Sequence, residues 1–219
     1  MEIQSLPEKI AKLPHWRVTY RPSTYKKRIS DPQEAFDLVR KSVVRRRGWD
    51  YPYVSEDRTE QVREQEYVAS GCDWNGLIEY WRLYYSGQFI HLFSLRENFI
   101  YDVQGFIDIT NTLYNIAEVI EFAARLSEKG IYQDSLQIVI HIKNVKDFKL
   151  WAKDRFWRGH YPATSNVIAK KIEVNARDIL GQAASITLDT TIYILKLFGW
   201  DNPPRDILKN DLEKFLIGK

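Results

Sequence analysis

Cysteine is almost missing from this chain. Cys72 is the only one in 219 residues, which excludes an intramolecular disulfide and implies a reducing, cytoplasmic setting. There is no apolar run near twenty residues and no basic-then-apolar N-terminal segment, so neither membrane spanning nor secretion is indicated. The four histidines, His15, His91, His141 and His160, are isolated and show no metal-ligand spacing with one another or with Cys72, which leaves no zinc motif. Phosphate-binding glycine loops, dinucleotide fingerprints and nucleophile elbows are missing too. The sequence therefore implies no cofactor, no metal and no catalytic set.

What is present is ordinary in bulk and uneven in detail. Hydrophobic residues make up 44% and charged residues 28%, values typical of a globular protein, and the length suits one α+β domain over 1–219. The net charge of +3 hides a basic N-terminal third. Residues 1–47 hold twelve basic residues against five acidic ones, whereas 48–66 hold two against six. Such a third is a candidate polyanion footprint; alternatively the acidic segment folds back over it.

Aromatic residues dominate the middle. Residues 77–85 and 88–95 form two strand-length runs joined at Ser86-Gly87, the pattern of a hairpin. Tyr80, Arg82 and Tyr84 fall on one face; Glu79, Trp81, Leu83 and Tyr85 fall on the other. Large side chains on both faces predict a central hairpin covered on both sides. His15–Arg21 and Leu136–Lys143 alternate as strands, and Ile172–Val174 reads as a last short one. Capping patterns predict helices after Asp31, running to Arg45-Arg46-Arg47 and stopped by Gly48, and over 110–129 behind Asp108 or Thr110. Further helices are expected from Asn175 to Phe198 and after Pro203-Pro204, giving a C-terminal helical pair within 176–217. Residues 1–14 read as an N-terminal arm or short helix. The stretch from Gly48 to Gly76 reads as loop, with a polar helix near 56–67, and 147–166 reads as irregular. The expected fold is α+β, a mostly antiparallel sheet with long helices packed on it.

Gly48-Trp49-Asp50-Tyr51-Pro52 has a near-copy at Gly199-Trp200-Asp201-Asn202-Pro203. Both read as helix stops, with Trp packed back on the helix. His141 and Lys143, with Asp147 beyond them, resemble a phosphodiesterase strand, and Asp134 with His141 and Lys143 resembles a metal-nuclease core extended by Glu118 and Glu121. The simpler reading makes His141 and Lys143 the polar face of an edge strand and the two glutamates a solvated helix edge. Cys72, beside Asp73, reads as an inert thiol. Basic residues interleave with aromatics at Trp16-Arg17, Tyr20-Arg21, Tyr25-Lys26-Lys27-Arg28 and Lys149–Tyr161. Cations meet phosphates and rings stack on bases, so Arg17, Arg21, Lys26, Lys27, Arg28, Trp157 and Arg158 are the candidate ligand-binding residues. Aromatic–arginine mixtures also suit protein interfaces.

Three segments carry a resemblance: His15-Trp16-Arg17-Val18 with Arg21-Pro22, Arg47-Gly48-Trp49-Asp50-Tyr51-Pro52, and Glu79-Tyr80-Trp81-Arg82 with Ser86-Gly87-Gln88-Phe89. Together they resemble a prokaryotic protein family of this length that has no assigned activity. Similar segments occur beside Schlafen-like domains associated with nucleic-acid binding. The resemblance implies no catalytic residues. The expected function is non-catalytic recognition of a polyanionic or nucleotide-like ligand, such as single-stranded nucleic acid. A protein-interaction subunit, bound to another protein or to a second copy, is the alternative, and a metal-dependent nuclease or phosphodiesterase comes third. Exposed tryptophans lining a groove would favour a ligand; a flat apolar patch would favour a protein partner.

Overall fold

The computed structural model describes residues 2–97, 105–152 and 157–218, with only the backbone described for 157–160. It has the expected α+β architecture, built on a seven-stranded antiparallel sheet. The strands are β1 (His15–Pro22), β2 (Gln61–Arg63), β3 (Tyr67–Trp74), β4 (Leu77–Tyr84), β5 (Phe89–Ser94), β7 (Ser135–Lys143) and β10 (Val167–Asn175), in the order β10-β7-β1-β5-β4-β3-β2. A second sheet joins β6 (Phe106–Asp108), β8 (Lys149–Ala152) and β9 (Trp157–Pro162), with β6 parallel to β8.

Strand alternation builds the core. Trp16, Val18 and Tyr20 of β1 point inward beside Ile138, Ile140 and Ile142 of β7, and Phe89, Phe93, Trp81 and Leu83 of the central hairpin continue that face. The long helix α3 (Ile109–Glu128) lies across it, fixed where the Tyr20 hydroxyl donates to the Val119 carbonyl at 2.8 Å. Asp108 caps this helix by accepting from the Asn111 N–H, and α2 (Pro32–Ser42) adds Phe36 edge-on against Trp81. Helices α4 (Ile179–Leu197) and α5 (Arg205–Ile217) pack behind α3 as the C-terminal pair, with Phe215 stacked on Tyr114 at 4.1 Å.

The outer face is covered only in part. The short helix α1 (Leu6–Ala11) lays Leu6 and Ile10 on Ala69, Ile78 and Tyr80. Arg82, Tyr84 and Arg17 lie beyond it and keep partial exposure. The expectation of cover on both sides thus holds for one end of the hairpin, because six residues of helix are too few to span the sheet.

Four local expectations are corrected. Helix α2 ends at Ser42, and Val44 pairs with Tyr51 to close a loop that holds Arg45–Arg47 and Gly48 outside any helix. Residues 58–60 form one 3-10 turn, followed by β2 and the eight-residue β3. The last strand runs from 167 to 175, and the stretch read as irregular supplies β8 and β9. Asp178, not Asn175, is the N-cap residue of α4; Asn175 instead accepts from the Arg177 N–H in the turn before it.

Candidate functional site

The pocket of about 450 Å³ opens where the Val44–Tyr51 loop meets the inner face of the sheet, at the start of β4. Its walls come from Gly48, Trp49, Asp50 and Tyr53 of the loop region, Cys72 and Trp74 of β3, Leu77 and Glu79 of β4, and Phe93 and Arg96 at the end of β5. Trp74, half exposed, meets Tyr53 edge-on at 4.6 Å and forms the mouth.

Glu79 is a carboxylate on an otherwise apolar face. Its Oε1 accepts from the Tyr53 N–H at 2.7 Å and lies 2.9 Å from His91 Nε2. Burial pushes this carboxyl up, but His91, the Tyr53 N–H and Arg96 outweigh it and hold the group below the ordinary range. Glu79 is therefore an ionised acceptor on the pocket wall. His91 is fully buried, packs edge-on against Tyr51 at 4.9 Å, and its Nδ1 has no hydrogen-bond partner among the described residues.

Arg96 is the complementary donor. Its guanidinium lies 4.0 Å from the centre of the Trp49 ring. It makes no hydrogen bond or ion pair with any described residue. Burial and the nearby Arg47 lower its pKa, while Glu79, Glu118 and Glu97 draw it back. A guanidinium carries five N–H donors, so donor capacity remains for a guest. Arg47 is already engaged: it meets both oxygens of Glu118 and donates to Asn111 and Asn115. Burial pushes the Glu118 carboxyl up and Arg47 offsets part of that shift. Glu118 is thus the buried partner of Arg47, and Glu121 pairs with Arg46 and Arg125. Neither is a solvated helix edge. Trp49 likewise packs with two guanidiniums instead of lying back on a helix.

Cys72 also lines the pocket, but burial, with Glu79 and Glu60 adding to it, pushes its thiol up. It is no nucleophile, because only the thiolate attacks.

The residues singled out from sequence lie elsewhere. Arg17 and Arg21 project from the outer face of β1, with Arg17 opposite Leu92 and His141. Lys26 and Lys27 follow on an exposed segment that lies along the hairpin turn. Arg28 instead turns back to donate to the carbonyl and hydroxyl of Thr24. Trp157 and Arg158 belong to β9 in the second sheet, paired with Ala152 and Trp151; their side chains lie outside the described residues. The structure groups Arg17 and Arg21 on one strand face, sets Lys26 and Lys27 on the adjoining segment, where the Lys27 ammonium lies 5.9 Å from the centre of the Tyr85 ring, and assigns Arg28 a structural role. His141 and Lys143 share that outer face. Asp134 precedes β7 and stands seven residues from His141, about 23 Å in an extended strand, so the metal-nuclease pairing does not assemble.

Sequence reasoning missed the pocket residues Trp49, Glu79 and Arg96. The available signal was Glu79, charged at a position whose neighbours two and four residues on, Trp81 and Leu83, face the core. No protein-family model, curated protein or solved structure matches this chain.

Proposed function

We propose that the protein is a recognition module whose pocket takes the base of a nucleotide-like ligand. The observation that carries this reading is the pair of opposed groups on one wall set: the carboxylate of Glu79 and the uncommitted guanidinium of Arg96, among Trp49, Tyr53, Trp74 and Phe93. Small-ligand sites combine apolar and aromatic walls with a few convergent polar groups, in volumes of roughly 300–1,000 Å³. A flat heterocycle bearing an amino donor beside a ring acceptor satisfies both charged groups at once, with the amine on the carboxylate and the acceptor on the guanidinium. The aromatic walls supply stacking surface. With Arg47 matched to Glu118, the remaining charges of Glu79 and Arg96 balance. The wall therefore favours the base end of a ligand over an isolated anion.

The test is calorimetric titration with adenosine monophosphate and purine riboside monophosphate, which differ by one exocyclic amine. A site built to hydrogen-bond a group discriminates strongly against the analogue lacking it. Adenosine monophosphate is expected to bind at least about tenfold more tightly, and Arg96→Met to weaken it by a similar factor. Equal affinities for the two, or binding indifferent to Arg96→Met in a folded protein, would overturn the reading.

A second reading rests on the C-terminal pair. Leu180, Tyr193, Leu197, Ile207 and Ile217 are large apolar side chains exposed on α4 and α5, and exposed apolar surface suits a protein partner. Light scattering on the purified chain distinguishes a self-associating face from a monomer.

A further inference from the structure

A different surface, on the opposite side of the sheet from the pocket, carries an unassigned set of cations and rings. We propose that the outer face of β1 and the adjoining segment 24–28 bind single-stranded nucleic acid, with Arg17 and Arg21 holding phosphates and Tyr25 stacking on a base.

Arg17 and Arg21 stand four residues apart on one strand face, about 13 Å at roughly 3.3 Å per residue. Neither makes a hydrogen bond or ion pair with any described residue. Two acids, Glu173 and Asp73, are already matched: Glu173 pairs with Lys171 at 2.6 Å, and Asp73 pairs with Lys9. His141, directly across from Arg17, reports the resulting field. Burial first, then Lys143, Arg17 and Arg21, hold its imidazole below the ordinary range, with no carboxylate among the causes. His15, one row further along, is lowered by burial and, after an opposing backbone hydrogen bond, by Lys143 and Arg17.

Tyr25 makes the surface more than a basic patch. It is 65% exposed, yet its hydroxyl is tied to Gln88 Oε1 at 2.8 Å. It lines two shallow grooves at once. One, of about 270 Å³, also holds Arg21, with the Lys171-paired Glu173 on its wall; the other, of about 360 Å³, holds Lys26, Lys27 and Tyr84, with Glu66 at its rim. A tethered ring between two cation-bearing grooves is the layout that strand binding requires, because phosphates can lie in the grooves while a base lies on the ring. A duplex keeps its bases stacked on one another and cannot present a free face to Tyr25. The chemistry therefore selects a single strand over a duplex or a plain polyanion.

The experiment is fluorescence anisotropy with a labelled oligothymidylate, its duplex and inorganic polyphosphate, at salt from about 50 to 200 mM. Log affinity for the single strand is expected to fall linearly with log salt, and Arg17→Ala/Arg21→Ala to reduce that slope by about 1.4, from two contacts at roughly 0.7 each on a single strand. Tyr25→Ala is expected to weaken single-strand binding about tenfold while leaving the slope in place. Circular dichroism checks that each variant is folded. Three results would each sink the proposal: no binding at the lowest salt, a slope unchanged by the double substitution, or duplex and polyphosphate binding as well as the single strand with Tyr25→Ala neutral.

Discussion

At Gly71 the sheet leaves no room for a side chain. A Cβ built there would lie 2.4 Å from the Glu79 carbonyl oxygen and 2.8 Å from Leu6 Cδ1. The first contact is with backbone and cannot be relieved by a rotamer change; the second marks where α1 leans on the strand. Gly71→Ala is expected to destabilise the protein by about 1–3 kcal/mol, read as a lower urea midpoint. Adding Leu6→Ala should not restore it, since the carbonyl stays in place. The same residue explains why β3 was illegible: Ala69, Ser70, Gly71 and Cys72 are too small to show an alternating apolar pattern, and smallness here answers to close approach. Glu79 was half legible. Its face follows from alternation, but its partners come from residue 53 and from residue 91, and no spacing along the chain announces that meeting.

Among elements, the ones with strong periodicity were readable: β1, β7, the central hairpin, α3 and the C-terminal pair all follow from it. Strand β10 is longer than its sequence pattern suggests because its outward residues, Ala169, Lys171 and Glu173, frame an inward set of Ile168, Ile172 and Val174 that Lys170, set over the Tyr193 ring, interrupts. Helix α1 is too short to be stable by itself and is held by neighbours. Lys9 pairs with Asp73 at one side. At the other, the Asn144 amide donates to the carbonyls of Ala11 at 2.8 Å and Leu13 at 2.9 Å. Asn144 has φ of 61°, a left-handed conformation that asparagine tolerates better than most residues. Asn144→Ala loses both bonds and strains the turn, so a cost of about 1–3 kcal/mol is expected. Hydrogen exchange should show the loss as earlier opening of α1, with β7 still protected.

For the whole molecule, charge is sorted by side. The basic triplet is consumed internally, Arg45 on Asp50, Arg46 on Glu121 and Arg47 on Glu118, so the N-terminal excess survives mainly on the outer face. Asp50 belongs to the acidic segment that the second sequence reading folds back over the basic third, but Glu118 and Glu121 sit in a helix some seventy residues away, which neither reading foresaw. The outer face also sets an acid limb of stability. The folded pKa of His141 lies below the ordinary 6.5, so an unfolded chain takes up this proton first as pH falls. The stabilising contribution is complete above 6.5 and is lost as pH falls through the folded value. Between about pH 8 and pH 5, His141→Gln should therefore lose less urea stability than the parent. An equal loss in both would place the pH dependence in other groups. Cys72 gives the molecule one more property. The residue is 2% exposed on the inner side of β3, and burial keeps it a thiol. An alkylating reagent reacts with thiolate, so although the pocket reaches this side chain, modification is slow until β3 opens enough to hydrate the thiol and relieve the raised pKa. With no second thiol in the chain to blur the signal, the labelling half-time becomes a clock for that event, running in native buffer without denaturant or an engineered label.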